Sequence, residues 1–115
     1  MKKNIIKVLD ALFTKCIQQR AHGRCEFCGK LGTDTAHVYS RANLWSRWYL
    51  DNAFWLCHDC HLASDRDRKT FRAKVQEIYG EERYEVLREL AQKAHPMYPE
   101  DYEEIKKELY RKKHK

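Results

Sequence analysis

Two C-x2-C pairs constrain this chain more than any other feature. Cys25-Glu26-Phe27-Cys28 and Cys57-His58-Asp59-Cys60 are distant in sequence, and each is a tight turn able to present two thiolates to one ion. Four thiolates closing a tetrahedral site leave no open coordination position, so the metal, expected to be Zn2+, is structural and contributes folding free energy. Whatever else the chain does, it must bring residues 25–28 and 57–60 together. Disulfide pairing is the alternative use of these cysteines. It suits secreted chains, and no early apolar run here resembles a signal peptide, so thiolates in a reducing compartment are expected.

At 115 residues the chain fits one domain, and a metal staple helps where so much of the core lies under thin helical layers. Lys and Arg number 23 against 17 Asp and Glu, a +6 balance that suits a phosphate-bearing partner without identifying one. No apolar stretch reaches the length of a membrane span, so no membrane partner is expected.

Three segments organise the domain: an N-terminal helix in residues 1–22, a metal core in 23–67 and a helical extension in 68–115. Apolar residues at Ile5, Leu9, Leu12, Phe13, Cys16 and Ile17 mark one face of a helix from Asn4 to Arg20, with Lys2, Lys3, Lys7 and Lys15 as its solvated side. That face is expected to cover either the metal core or a second copy of itself, and Cys16 reads as a small buried hydrophobe. Gly23 ends the helix. Thr33 to Val38 reads as a strand carrying His37, Tyr39 to Leu50 as a loop or short helix, and Asn52 to Leu56 as a second strand with Phe54 and Trp55 in the core. A helix follows near Cys60. Periodicity then predicts helices over Arg68 to Tyr79, Glu81 to about Ala94, and from Pro99 to the basic tail Arg111-Lys112-Lys113-His114-Lys115, which reads as a solvated terminus. The fold class is α+β.

A four-thiolate ion cannot act on a substrate, so any chemistry must lie beside it. His37 sits between the knuckles, Asn52 leads the second strand, and His61 directly follows the last cysteine, so the metal staple gathers all three. Such a trio suits phosphodiester hydrolysis. An imidazole can take a proton from water near neutral pH, and a divalent ion such as Mg2+ or Mn2+ can neutralise the scissile phosphate. His37 is the expected base, His61 a metal ligand, and Asn52 a residue that orients His37 or its strand.

This pattern, Cys25-x2-Cys28, His37, Asn52 and Cys57-x2-Cys60-His61, resembles the HNH (His-Me finger) endonuclease superfamily. Asp34-x2-His37, Arg47-Trp48, Asn52 before Cys57, Phe71-Arg72, Gly80 and the acidic Pro99 to Tyr110 helix look most like the lambdoid phage NinG/Rap recombination proteins, from about Arg24 to the C-terminus. The resemblance implies a treble-clef zinc scaffold with a ββα-metal core. It implies a structure-specific endonuclease cutting branched DNA such as Holliday junctions and D-loops, located in the cytoplasm of a bacterial or phage-infected cell. Carried over by position, His37 is the general base, His61 a ligand to a catalytic Mg2+ or Mn2+, and Cys25, Cys28, Cys57 and Cys60 the zinc cage. Two positions depart from the pattern. Ala36 stands where many HNH enzymes place a ligand, and Asp34, on the same strand face, is its expected substitute. His61 replaces the asparagine expected of the NinG group. The N-terminal helix has no counterpart in the resemblance.

Arg41 and Arg47 are candidate phosphate clamps, and Trp48, with Trp45 and Tyr49, a candidate stacking surface for unpaired bases; core packing is the competing role for the aromatics. A homodimer is expected, because a four-way junction takes two symmetric cuts. Two other readings stay open: an HNH enzyme that nicks ordinary duplex or single-stranded DNA, and a non-catalytic zinc-stabilised DNA-binding module. His22 is a fallback metal ligand by its proximity to Cys25.

Overall fold

A short antiparallel hairpin, packed on both faces by helices, joins the parts of the molecule. The computed structural model describes residues 2–113. It contains α1 (Lys2–Arg20), β1 (Asp34–His37), α2 (Leu44–Arg47), a single 3-10 turn (Leu50–Asn52), β2 (Ala53–Leu56), α3 (His58–Arg66), α4 (Arg68–Tyr79), α5 (Glu81–Ala91) and α6 (Pro99–Lys113). The chain is thus α+β, mostly helical with one small sheet. Its basic tail reaches Lys113 within α6, while His114 and Lys115 lie outside the described residues. No helix among the described residues is long and apolar enough to cross a membrane.

The register pairs Asp34 with Leu56, Thr35 with Trp55, Ala36 with Phe54 and His37 with Ala53. Because side chains alternate across a strand, this splits the sheet into two apolar faces. Ala53 and Trp55 belong to a cluster with Leu9, Phe13, Ile17, Trp48, Tyr102 and Leu109, which joins the sheet to α1 and α6. On the other face Ala36, Phe54 and Leu56 pack with Cys25, Phe71, Val75, Tyr84 and Leu87 of the knuckle, α4 and α5. All four residues of β2 are buried for this reason. The apolar stripe of α1 is therefore used within the chain, against α6 and the sheet. Cys16 is part of that stripe, its Sγ 3.3 Å from the Leu109 carbonyl, and burial pushes its thiol pKa up.

Local chemistry sets the helix ends. After α1, the Gly23 amide bonds to the Gln18 carbonyl and the His22 amide to the Gln19 carbonyl, the paired closure of a Schellman turn. His22, at φ 53°, occupies its left-handed position, which identifies it as a helix cap. Arg20 then reaches forward to the Leu50 and Ala53 carbonyls and forms a two-pronged pair with Glu26, whose carboxylate also accepts the Trp55 amide. The end of α1, the first knuckle and β2 are tied at one point. Asp67 caps α4 through the Thr70 amide and hydroxyl, and Asp101 caps α6 through the Tyr98 amide. Helix α3 begins two residues before its expected start near Cys60, with Cys57 as its cap.

Gly32 is required for space. A Cβ there would lie 2.4 Å from Cδ1 and 2.6 Å from Nε1 of Trp55, and 3.1 Å from the Cys25 amide nitrogen. Trp55 is buried between α1 and the knuckle and has nowhere to retreat. Gly32→Ala is expected to destabilise the protein by about 1–3 kcal/mol through overpacking, measured by denaturant unfolding of the metal-loaded protein.

Candidate metal centre and active site

The ligand atoms of Cys25, Cys28, Cys57 and Cys60 all lie within 4.8 Å of one another, and the Cys28 and Cys57 sulfurs are 3.7 Å apart. A tetrahedron with metal–sulfur bonds of about 2.3 Å has edges of about 3.8 Å, so the quartet fits such an ion. In each knuckle the amide of the second cysteine lies 3.4 Å from the sulfur of the first, and Gly29 at φ 80° lets the first turn curl back. These donors make partly buried sulfur tolerable as an anion. Burial opposes the Cys25 thiolate, but surrounding backbone hydrogen bonds bring its pKa down to about 6. Burial and hydrogen bonds from the other three cysteines push Cys60 up to about 12. Four thiols this close cannot all ionise beside one another unless a cation neutralises them. Among the described residues this is the only cluster of three or more His, Cys, Asp or Glu suited to a metal, and His22 is outside it.

On the α1 side of the hairpin, His37 opens onto a cavity of about 570 Å³. Its wall includes Asp10 and Phe13 of α1, Thr35 of β1, Arg41, His61 and Asp65 of α3, and Arg68 and Arg72 of α4. The imidazole of His37 stacks on Phe13 with ring centroids 5.6 Å apart. Desolvation, reinforced by the charge of Arg41, lowers its pKa to about 4, while the Arg47 backbone and the Asp10 charge pull the other way. His37 is therefore neutral at pH 7. Arg68 donates to the His37 and Val38 carbonyls, and Arg72 lies over the Tyr39 ring, so two guanidinium groups are fixed at the cavity edge.

His61 lines the same cavity. Its Nδ1 is 2.9 Å from Asp34 Oδ2, and its Nε2 is 3.7 Å from Asp65 Oδ2. An ionised carboxylate only accepts hydrogen bonds, so in the neutral form of the His61 ring Asp34 favours the tautomer with its proton on Nδ1 and its lone pair on Nε2. Hydrogen bonds from His61 and Thr33 hold the Asp34 pKa below its ordinary value. Asp34 itself is absent from the cavity wall that carries His37. The strand period explains this, since Asp34 and Ala36 point away from the face of Thr35 and His37. The carboxylate beside Nε2 comes instead from Asp65. The signal for it was a His61-x3-Asp65 spacing, which puts both side chains on one face of α3.

Asn52 is fully buried and clamps the chain just past His37. Its Oδ1 accepts the Tyr39 amide at 2.9 Å and its Nδ2 donates to the Tyr39 carbonyl at 3.2 Å. It acts on the strand end and not on the imidazole. Two expected DNA contacts need correction. Arg47 spends its guanidinium on Asp10, with contacts of 3.0 and 2.7 Å, so it is no free phosphate clamp. Trp48 is only 4% exposed and donates its indole N–H to Asp10, which excludes stacking on a base. Trp45 is half-buried, with its indole bonded to the His95 carbonyl. Arg41 remains exposed at the cavity mouth.

Comparison of the chain with protein-family models, curated proteins and solved structures gives no match.

Proposed function

We propose that this protein is a divalent-metal-dependent endonuclease that hydrolyses phosphodiester bonds in DNA, on a treble-clef, ββα-metal scaffold of HNH type held by structural zinc. One observation carries the reading: a neutral imidazole from a strand, His37, and a helix imidazole with a free Nε2, His61, line one cavity rimmed by Arg41, Arg68 and Arg72. The cysteine quartet joins the hairpin to α3 and so holds the two histidines in register.

In this reading His61 and Asp65 hold a Mg2+ or Mn2+ ion, with Asp34 orienting the His61 ring. Two protein donors suit a hard ion that keeps waters and takes its remaining ligands from a phosphate. When bound, that ion neutralises charge on the scissile phosphate and its leaving oxygen. His37 takes the proton from the attacking water, which its neutral state at pH 7 permits. Arg41 and the fixed guanidinium groups of Arg68 and Arg72 draw the phosphate backbone to the cavity. The preference for branched DNA, and with it a dimer, follows from the resemblance to recombination nucleases. The two-donor site favours one second reading, a zinc-stabilised DNA-binding module without catalysis.

Incubating the protein with four-way, flapped and linear DNA in Mg2+ or Mn2+ distinguishes these. Cutting abolished by EDTA is expected, strongest on the branched substrates. Asp65→Asn is expected to reduce it at least about tenfold and to raise the metal concentration needed. Tight binding of branched DNA with no cutting in either ion would establish the binding module instead.

A further inference from the structure

His37 stands where the hairpin ends, and its main chain is held there by a side chain from another element. The Val38 amide donates to the Asn52 carbonyl at 2.8 Å, but the bond that would return across an antiparallel pair is missing, because the Asn52 amide turns to the Tyr49 carbonyl instead. The Val38 carbonyl therefore takes nothing from β2. The His37 carbonyl lies on the outer edge of this two-stranded sheet, since successive residues direct their main-chain groups to opposite sides. Arg68 supplies what the ladder lacks. Its Nη2 donates to the His37 carbonyl at 2.9 Å and to the Val38 carbonyl at 2.5 Å, and Arg72 Nε adds a longer contact of 3.4 Å to the latter.

The guanidinium is itself fixed. Arg68 opens α4 directly after Asp67, whose carboxylate caps that helix through Thr70, and its Cζ lies 5.0 Å from the ring centre of buried Phe71. Nη2 has two hydrogens and two carbonyl partners, and because the group is planar its Nη1 is fixed in direction too. Nη1 stands 3.8 Å from Asp65 Oδ1, while the other oxygen of that carboxylate is the one near His61 Nε2. An ion pair this long and this open to solvent adds little stability, so the tie to the main chain is the stronger of the two. Arg68 thus touches both the strand end that carries His37 and the carboxylate beside His61.

We propose that Arg68 is a positioning residue for His37: it closes the unpaired end of β1 and so fixes the backbone from which the imidazole reaches the cavity, in register with Asp65 across the same guanidinium. The kinetic consequence rests on the nuclease reading, whereas the placement of the strand end does not. Attraction of phosphate needs only the positive charge of Arg68. Positioning needs its fork, and the two can be separated.

The test uses the zinc-loaded full chain and Arg68→Lys, which keeps the charge and loses the planar fork. NMR reads the His37 ring and the His37 and Val38 carbonyl carbons at neutral pH, alongside cleavage kinetics on branched DNA and melting temperature. In the wild type, hydrogen-bond couplings from Arg68 Nη2 to both carbonyl carbons are expected. Arg68→Lys is expected to shift the carbonyl and ring signals and to lower kcat about 10- to 100-fold, with KM changed by less than about threefold. A raised KM with unchanged kcat would make Arg68 a phosphate contact and overturn the proposal. Unchanged ring signals and kcat in a folded variant of lower melting temperature would overturn it too, and leave Arg68 a structural residue. If Arg68→Lys does not fold, Arg68→Gln carries the comparison, and absence of the wild-type couplings overturns the proposal without any variant. A wild type that cuts no DNA would defeat the nuclease reading alone, and the couplings and ring signals would still decide this one.

Discussion

Stripping the metal from the cysteine quartet, by chelation or by Cys57→Ser, is expected to lower the melting temperature by about 20 °C or more and to abolish cooperative unfolding in part of the population. The magnitude follows from what the quartet joins. Cys25 is buried in the cluster with Phe54, Leu56 and Phe71, and Cys57 directly follows β2 and caps α3. Without a cation, sulfurs within 4.8 Å repel as they ionise or lose their amide partners as they separate. The damage would also cross the sheet, because the alternate residues Ala53 and Trp55 of the same strand belong to the α1–α6 cluster. Differential scanning calorimetry with and without chelator, paired with elemental analysis for about one zinc per chain, checks this. A metal-free protein with an unchanged melting transition would remove the structural-zinc assignment.

Replacing His37 by alanine is expected to reduce DNA cleavage by about 10²- to 10⁴-fold, the usual contribution of a positioned general base. Circular dichroism would verify that the variant remains folded despite losing the stack on Phe13. The pH profile adds a sharper criterion. Burial brings the His37 pKa from about 6.5 to about 4, so its base form persists through mildly acid solution, and any loss of rate near pH 6.5 belongs to another group. Stability follows the same proton. The unfolded chain protonates near 6.5 while the folded chain resists until about 4, so the unfolded state binds more protons in that window. Folding stability contributed here is complete above 6.5 and lost as pH falls towards 4, by at most about 3 kcal/mol. His37→Ala should flatten that part of the stability curve. Equal cleavage by both proteins would end the general-base assignment.

Local pattern made much of the fold legible. The heptad-like spacing from Leu9 to Ile17 marks the face of α1 that is buried, and Gly80 and Pro99 stand where α4 ends and α6 begins. The knuckles declared themselves because thiolate spacing is a covalent property of the chain. The misplaced residues share a different cause. Arg47 and Trp48 look like a nucleic-acid surface until Asp10, 37 and 38 positions away, claims both. A charge on one helix and its partner on another leave no periodic trace. The carboxylates around His61 were hidden for a similar reason: strand alternation turns Asp34 from the His37 face, while the helical repeat carries Asp65 round to stand beside His61.

The stretch from Asp51 to His61 illustrates the division. Sequence alone determined that Cys57 and Cys60 meet Cys25 and Cys28, that His37 and His61 flank them, and that helices surround a small hairpin, because spacing and periodicity are encoded residue by residue. Tertiary structure decided which carboxylate faces His61 Nε2, that Asn52 grips the Tyr39 backbone, and that α1 closes the cavity with Asp10 and Phe13. Those outcomes depend on the register of β1 against β2 and on how α1 packs across them. Both are set by burial of the whole apolar set at once, and no single segment contains that information.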